Sequence, residues 1–125
     1  MTRIVLIVED TELCRDTLEV ALMKVPNLAV QAVTSAEEAL AWLDANDVCA
    51  LVTDLHLPRM NGFELIEAVR RRPWQSSLPI LVISGDSDPR ISTRVAKLGA
   101  NAFFSKPYSP AEVRHTLEQL LGARC

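Results

Sequence analysis

The chain reads as a single α/β domain, a five-stranded parallel sheet flanked by five helices, and three features predict it. Five short apolar runs alternate along the 125 residues with segments of helical periodicity, and strands separated by helices pair in parallel through right-handed crossovers. The runs are nearly continuous in apolar residues, the pattern of strands covered on both faces. Four of them end on groups able to grip a phosphoryl group: Ile4–Val8 on Glu9 and Asp10, Leu51–Val52 on Asp54, Ile80–Ile83 on Ser84, and Phe103–Phe104 on Lys106. Open α/β sheets bind ligands beyond the carboxyl ends of their strands, so these polar ends converge on one edge.

The elements follow in order. Ile4–Val8 is the first strand. Cys14, Leu18, Ala21, Leu22 and Val25 then mark an amphipathic first helix that Pro26 and Asn27 close. Leu28–Val33 is the second strand, with polar Gln31 suited to a place near the sheet edge. Ser35 and Glu38 have the spacing of a capping box for a second helix from Ala36 to Ala45, which turns Ala36, Ala39, Leu40 and Leu43 inward. Cys49–Thr53 is the third strand, and after the segment 58–62 a third helix runs from Phe63 to about Arg71, ending before Pro73.

Ile80–Ser84 is the fourth strand. Asp88 and Pro89 form an N-cap and first-turn pair for a fourth helix, whose stripe of Ile91, Val95 and Leu98 stops at Gly99, a natural C-cap. Ala102–Phe104 is a short fifth strand. Ser109, Pro110 and Glu112 open a fifth helix with Val113, Leu117, Leu120 and Leu121 facing inward, ending at Gly122. Five such units are expected to fill residues 1–125 as one domain, with no output domain expected in the three residues after Gly122.

Composition bounds the function. Apolar residues make up 49% and charged residues 23%, as in ordinary globular proteins, and the net charge is only −3. Basic residues are scattered apart from Arg70–Arg72, so no direct nucleic-acid partner is expected. No apolar stretch approaches the roughly 20 residues that cross a bilayer, and Ile4–Val8 is too short for a secretory signal core. A cytoplasmic protein with no membrane partner is expected. Cys14 and Cys49 are read as reduced core residues and Cys125 as an exposed terminal thiol, while Trp42 and Trp74 are expected to pack.

The clustered ends have a chemical requirement. Two unit charges 4 Å apart repel by roughly 4 kcal/mol at an effective dielectric near 20, so Glu9, Asp10 and Asp54 need a counter-charge to share a crevice ionised. An all-oxygen set without a His or Cys cluster favours Mg²⁺. One carboxylate then acts as nucleophile on phosphorus while metal and lysine neutralise the phosphoryl oxygens. Asp54, between the acidic pair and the lysine strand, is the candidate.

Glu9-Asp10 after the first strand, Asp54-Leu-His-Leu-Pro58-Arg-Met60-Asn-Gly62 after the third, Ser84-Gly85 after the fourth and Lys106-Pro107 after the fifth resemble, in order and spacing, the response-regulator receiver domain of two-component signalling. The resemblance spans essentially the whole chain. It implies a flavodoxin-like doubly wound sandwich with strand order 2-1-3-4-5. It further implies that Asp54 accepts phosphate from a sensor histidine kinase or phosphotransfer protein, that Glu9, Asp10, Asp54 and the backbone carbonyl of His56 hold Mg²⁺, and that Lys106 contacts the phosphoryl group. Ser84 and Phe103 would be a switch pair reshaping a surface for a downstream effector protein or output domain. His56 and Asp86 stand where members of the family tune phosphoryl loss, and the two side chains could pair across the path of the attacking water. The domain would be no enzyme beyond catalysing its own phosphorylation and dephosphorylation.

Other classes fit less well. A haloacid-dehalogenase-type phosphatase needs an Asp where His56 stands, and the acidic loop Glu9-Asp10-Thr11-Glu12 would repel a flavin phosphate. A non-catalytic interaction module using the same fold is the remaining alternative, against which every acceptor-site residue is present.

Overall fold

A computed structural model describes residues 3–86 and 88–124. Five strands, β1 (Arg3–Val8), β2 (Leu28–Val33), β3 (Ala50–Thr53), β4 (Ile80–Ser84) and β5 (Ala102–Ser105), form one sheet in the order β2-β1-β3-β4-β5. All four pairings are parallel. Helices α1 (Glu12–Leu22), α2 (Ala36–Ala45), α3 (Gly62–Arg70), α4 (Arg90–Leu98) and α5 (Pro110–Arg124) connect or follow the strands, so the fold class is as the sequence predicted and the strand order as the family resemblance implied.

Side chains of a strand alternate between faces, and here they fill two separate cores. Leu6, Val8, Leu51, Ile80 and Val82 face Leu43, Leu65, Ile66, Val69 and Val95 of α2, α3 and α4. Val5, Ile7, Val52, Leu81 and Ile83 face Leu18 and Leu22 of α1 and Val113, Leu117 and Leu121 of α5. Register levels the strand ends: Val8 lies beside Thr53, Thr53 beside Val82, and Ser84 beside Ser105. The residues that follow β1, β3 and β5 therefore emerge together at one edge.

Several boundaries differ from the sequence reading for identifiable reasons. Helix α1 stops at Leu22, because Val25 precedes Pro26 and a residue before proline is pushed out of the helical region. Val25 remains 4% exposed in the core although it has left the helix. Ser35 caps α2 through the Glu38 N–H at 3.1 Å, but the Glu38 carboxylate accepts from Thr34 Oγ1 at 2.8 Å, so the expected box is only half formed. A complete box, not anticipated, is made by Asn61 and Glu64 at the start of α3. A short 3₁₀ turn at Pro73–Gln75 was also not foreseen.

Helix α4 starts at Arg90 with Pro89, already at helical angles, in the cap position, one residue later than expected, and the Asp88 carboxylate still accepts from the Arg90 N–H at 2.9 Å. Gly99 closes that helix with a φ of 112°. Helix α5 runs through Gly122 to Arg124 instead of ending there. Gly122 meets nothing within 4 Å, so neither packing nor a turn forces a stop, and glycine's cost of about 1 kcal/mol in a helix is tolerated. Cys125 lies outside the described residues. No described helix is long and apolar enough to cross a membrane.

Candidate functional site

Strand β1 delivers Glu9 and Asp10, β3 delivers Asp54, and β5 delivers Lys106 to the same edge. One oxygen from each of Glu9, Asp10 and Asp54 can be chosen such that all lie within 4.8 Å of one another. At that separation each pair of ionised carboxylates repels by roughly 3 to 4 kcal/mol at an effective dielectric near 20. Lys106 Nζ answers part of this charge, standing 2.9 Å from Asp54 Oδ2 and 3.2 Å from Glu9 Oε2. Glu9 and Asp54 are buried whereas Asp10 is exposed, so the cluster opens to solvent on the Asp10 side.

Hydrogen bonds hold the Asp54 carboxylate in place. Asp54 Oδ1 accepts from the peptide N–H groups of Leu55 at 2.6 Å and His56 at 3.1 Å, leaving Oδ2 to Lys106. Gly62 supports this turn from behind: its N–H donates to the Leu55 carbonyl at 2.9 Å, and a Cβ there would overlap the Asp54 carbonyl oxygen. Glu9 Oε1 accepts from the Thr11 N–H at 3.1 Å. The Thr11 side chain does not cap α1, and neither acid after β1 is spent on that role.

The electrostatics follow from burial and partners. Burial pushes the Asp54 carboxyl up, but hydrogen bonds from Lys106 and His56 outweigh it and hold the group below its usual range. For Glu9 burial wins: desolvation, reinforced by the neighbouring Asp54, raises its carboxyl above the usual range despite the Thr11 N–H. Burial alone would lower the Lys106 ammonium, yet the bonds and charges of Asp54 and Glu9 raise it, so it stays protonated. An unbalanced negative charge remains, offered by three hard oxygen donors. That donor set fits Mg²⁺, and no sulfur or imidazole is among it.

The second layer is likewise assembled. Ser84 is fully buried, with its hydroxyl accepting from the Asp86 N–H at 3.1 Å, and Lys106 N–H donates to the Ser84 carbonyl at 2.8 Å. His56 Nε2 lies 3.4 Å from Asp86 Oδ2, the pairing considered from the sequence. Phe103 is half-buried and lines two cavities, one of about 320 Å³ beside Gly85 and Lys106 and one of about 240 Å³ against α4. The Lys106–Pro107 peptide bond is cis.

Two groups near the site were misjudged or missed from sequence. Cys14 is half-buried, and its sulfur sits 3.7 Å from Lys106 Nζ. Its helical stripe pointed to the core, but in the first turn of α1 its sulfur meets the Lys106 ammonium. Cys49, by contrast, is a free thiol that is half-buried and packs against the core between the sheet, α1 and α5, as expected. Tyr108, unremarked in the sequence, has a buried hydroxyl with no hydrogen-bond partner among the described residues, and burial raises its phenol. Trp42 packs as expected, whereas Trp74 is 71% exposed because its 3₁₀ turn lies outside the helical layers.

Comparison with known proteins agrees with this geometry. The family model for the response regulator receiver domain matches residues 5–118. A two-component response regulator of Oryza sativa subsp. japonica, ORR13, is 34% identical over 93% of this chain and 96% of its own length. A chemotaxis protein CheY homolog of Campylobacter jejuni is 30% identical over 94% of this chain and 91% of its own. Among solved structures, a putative response regulator from Chloroflexus aurantiacus superposes with a TM-score of 0.91 at 30% identity, covering 98% of this chain and 99% of that one. Chemotaxis response regulator CheY4 of Vibrio cholerae gives a TM-score of 0.86 at 26% identity, covering 96% and 99%.

Proposed function

Since this chain belongs to the response regulator receiver domain family of two-component signalling, we propose that it acts as one phosphoacceptor domain over residues 1–125, with Asp54 as the acceptor. The observation that carries this reading is the ammonium of Lys106 held between Asp54 at 2.9 Å and Glu9 at 3.2 Å, with Asp10 beside them. A carboxylate oxygen of Asp54 attacks the phosphorus of a phosphohistidine on a sensor histidine kinase or phosphotransfer protein. The P–N bond breaks, and the imidazole leaves with the bonding pair and takes up a proton. Lys106 swings its donors from the carboxylates toward the incoming phosphoryl oxygens, while the Leu55 and His56 N–H groups keep the acyl end fixed.

Glu9, Asp10, Asp54 and the His56 carbonyl would hold Mg²⁺, which would supply the positive charge needed for a phosphoryl group to approach three carboxylates. Ser84 donates to the new phosphoryl oxygen once it breaks its bond with the Asp86 N–H, and the cavities flanking Phe103 give its ring room to follow. His56 and Asp86 flank the approach to Asp54 and tune hydrolysis by ordering or excluding water. The chain is a signalling domain that works only on its own acyl phosphate, and its effector is a protein or output domain. It works in the cytoplasm, where its kinase presents the phosphohistidine.

Mass spectrometry after incubation with acetyl phosphate and Mg²⁺ tests the reading. The parent gains one phosphoryl group and Asp54→Asn gains none. A modified Asp54→Asn protein, or an unmodified parent under conditions that label a control receiver, overturns it.

A further inference from the structure

The opposite end of the sheet carries a second concavity that phosphoryl chemistry does not use. A cavity of about 420 Å³ lies between the C-terminal end of α2, the loop leading into β3, and the segment from Trp74 to Pro79. This volume is within the range of small-ligand sites. Its inner wall includes Leu43, Leu78 and the buried Gln75, which donates to the Leu43 carbonyl at 3.3 Å and so ties the wall together. At its rim stands Trp74, 71% exposed. A large aromatic face left in water beside a formed cavity asks for a partner, because burying an indole is among the strongest sources of binding energy available to a surface.

The charge around it has one sign to spare. Two carboxylates border the cavity, Asp44 and Asp47. Asp44 is matched by Arg72 Nη1 at 2.9 Å, which leaves the exposed Asp47 with no cation of its own among the described residues. The C-terminal end of α2 also points here, and it has no basic residue in its last turn to answer the negative pole of the helix. Aromatic face, spare carboxylate and helix C-terminus all favour the same thing, a cation with an apolar stem.

We propose that this cavity binds a guanidinium or ammonium group carried on an alkyl chain, with the charge between the Trp74 face and the Asp47 carboxylate and the stem against Leu43 and Leu78. Cation–π attraction to tryptophan and a carboxylate pair are complementary, and both strengthen as the cavity excludes water. The chemistry is shared by a free diamine-like metabolite and by an arginine or lysine side chain of a partner protein.

The test uses the ¹⁵N-labelled full chain with Mg²⁺ in excess, so that the acidic cluster at the other edge is blocked. Agmatine, N-acetyl-arginine amide and the neutral N-acetyl-citrulline amide are titrated while the indole N–H of Trp74 and the amides of residues 44–49 are followed. Agmatine and the arginine amide should give saturable shifts at those positions, weakening with added salt, and the citrulline amide should give none. Trp74→Ala and Asp47→Asn, both at exposed positions and expected to fold, should each weaken binding by about threefold to tenfold. Tighter binding of the arginine amide than of agmatine assigns the site to a partner's side chain, and the reverse order assigns it to a free cation. Equal shifts with the neutral analogue, shifts confined to residues around Asp54, or unchanged affinity in both variants would overturn the proposal.

Discussion

Replacing Gly62 with alanine probes how the third helix supports Asp54, the proposed acceptor. A Cβ at this position would overlap the Asp54 carbonyl oxygen and stand 2.6 Å from Leu55 Cα. Both obstacles are backbone, so no side chain can rotate away and the turn at 54–55 must move. Overpacking of this kind costs about 1 to 3 kcal/mol, and a backbone obstacle places the cost in the upper half of that range. Alanine returns up to about 1 kcal/mol through helix preference and a less flexible unfolded chain. The net loss is about 1 to 3 kcal/mol, or roughly 4 to 11 °C in melting temperature for a domain of this size. Because the displaced carbonyl belongs to the proposed acceptor Asp54, phosphorylation by acetyl phosphate should also slow by about threefold to tenfold, a fraction of what a full 1 Å misplacement costs. Calorimetry and a phosphorylation time course read the two effects. A variant as stable as the parent would refute the contact, and a destabilised variant with unchanged phosphorylation would refute its link to Asp54.

Three further outcomes follow from the same structure. Glu9 has a carboxyl raised by burial and by Asp54, so the folded chain binds its proton more tightly than the unfolded one, and without Mg²⁺ this residue's contribution to stability falls as pH rises from the ordinary glutamate range through the raised value. Glu9→Gln should therefore melt above the parent at neutral pH without Mg²⁺, and the gap should close when Mg²⁺ is added; a lower melting temperature for the variant in metal-free buffer contradicts this. Gly99→Ala forces a φ of 112° on alanine and brings its Cβ to 2.8 Å from Arg70 Nε, so denaturant titration should show a loss of about 1 to 2 kcal/mol, and an unchanged midpoint would disprove the strain. His56→Ala and Asp86→Ala should each change the lifetime of the acyl phosphate in the same direction, by up to about tenfold, if the 3.4 Å pair acts as a unit, and opposite effects would separate them.

The site was legible because its residues are strand-end residues. A strand's apolar run has an unmistakable end, so Glu9, Asp10, Asp54, Ser84 and Lys106 could be assigned to one edge before any geometry was known, and the acidic cluster and lysine bridge follow from register alone. Local chain stereochemistry was less legible. The end of α1 turned on proline's effect on Val25, and the complete capping box went to Asn61, whose three-residue spacing to Glu64 was present in the sequence but lay inside a segment read as loop. Cys14, Tyr108 and Trp74 were beyond reach for another reason. Their surroundings are set by residues distant in sequence, and helical periodicity reports which face a residue occupies but not what stands at the end of that face.

The two hydrophobic layers have no member in common, and the sheet is the partition between them. Leaning on α1 presses against one compartment, and repacking beneath α4 disturbs the other, with Phe103 on the α4 side and Tyr108 on the α1 side. A substitution in one layer therefore leaves the packing of the other untouched, so the two faces of the sheet can be repacked separately.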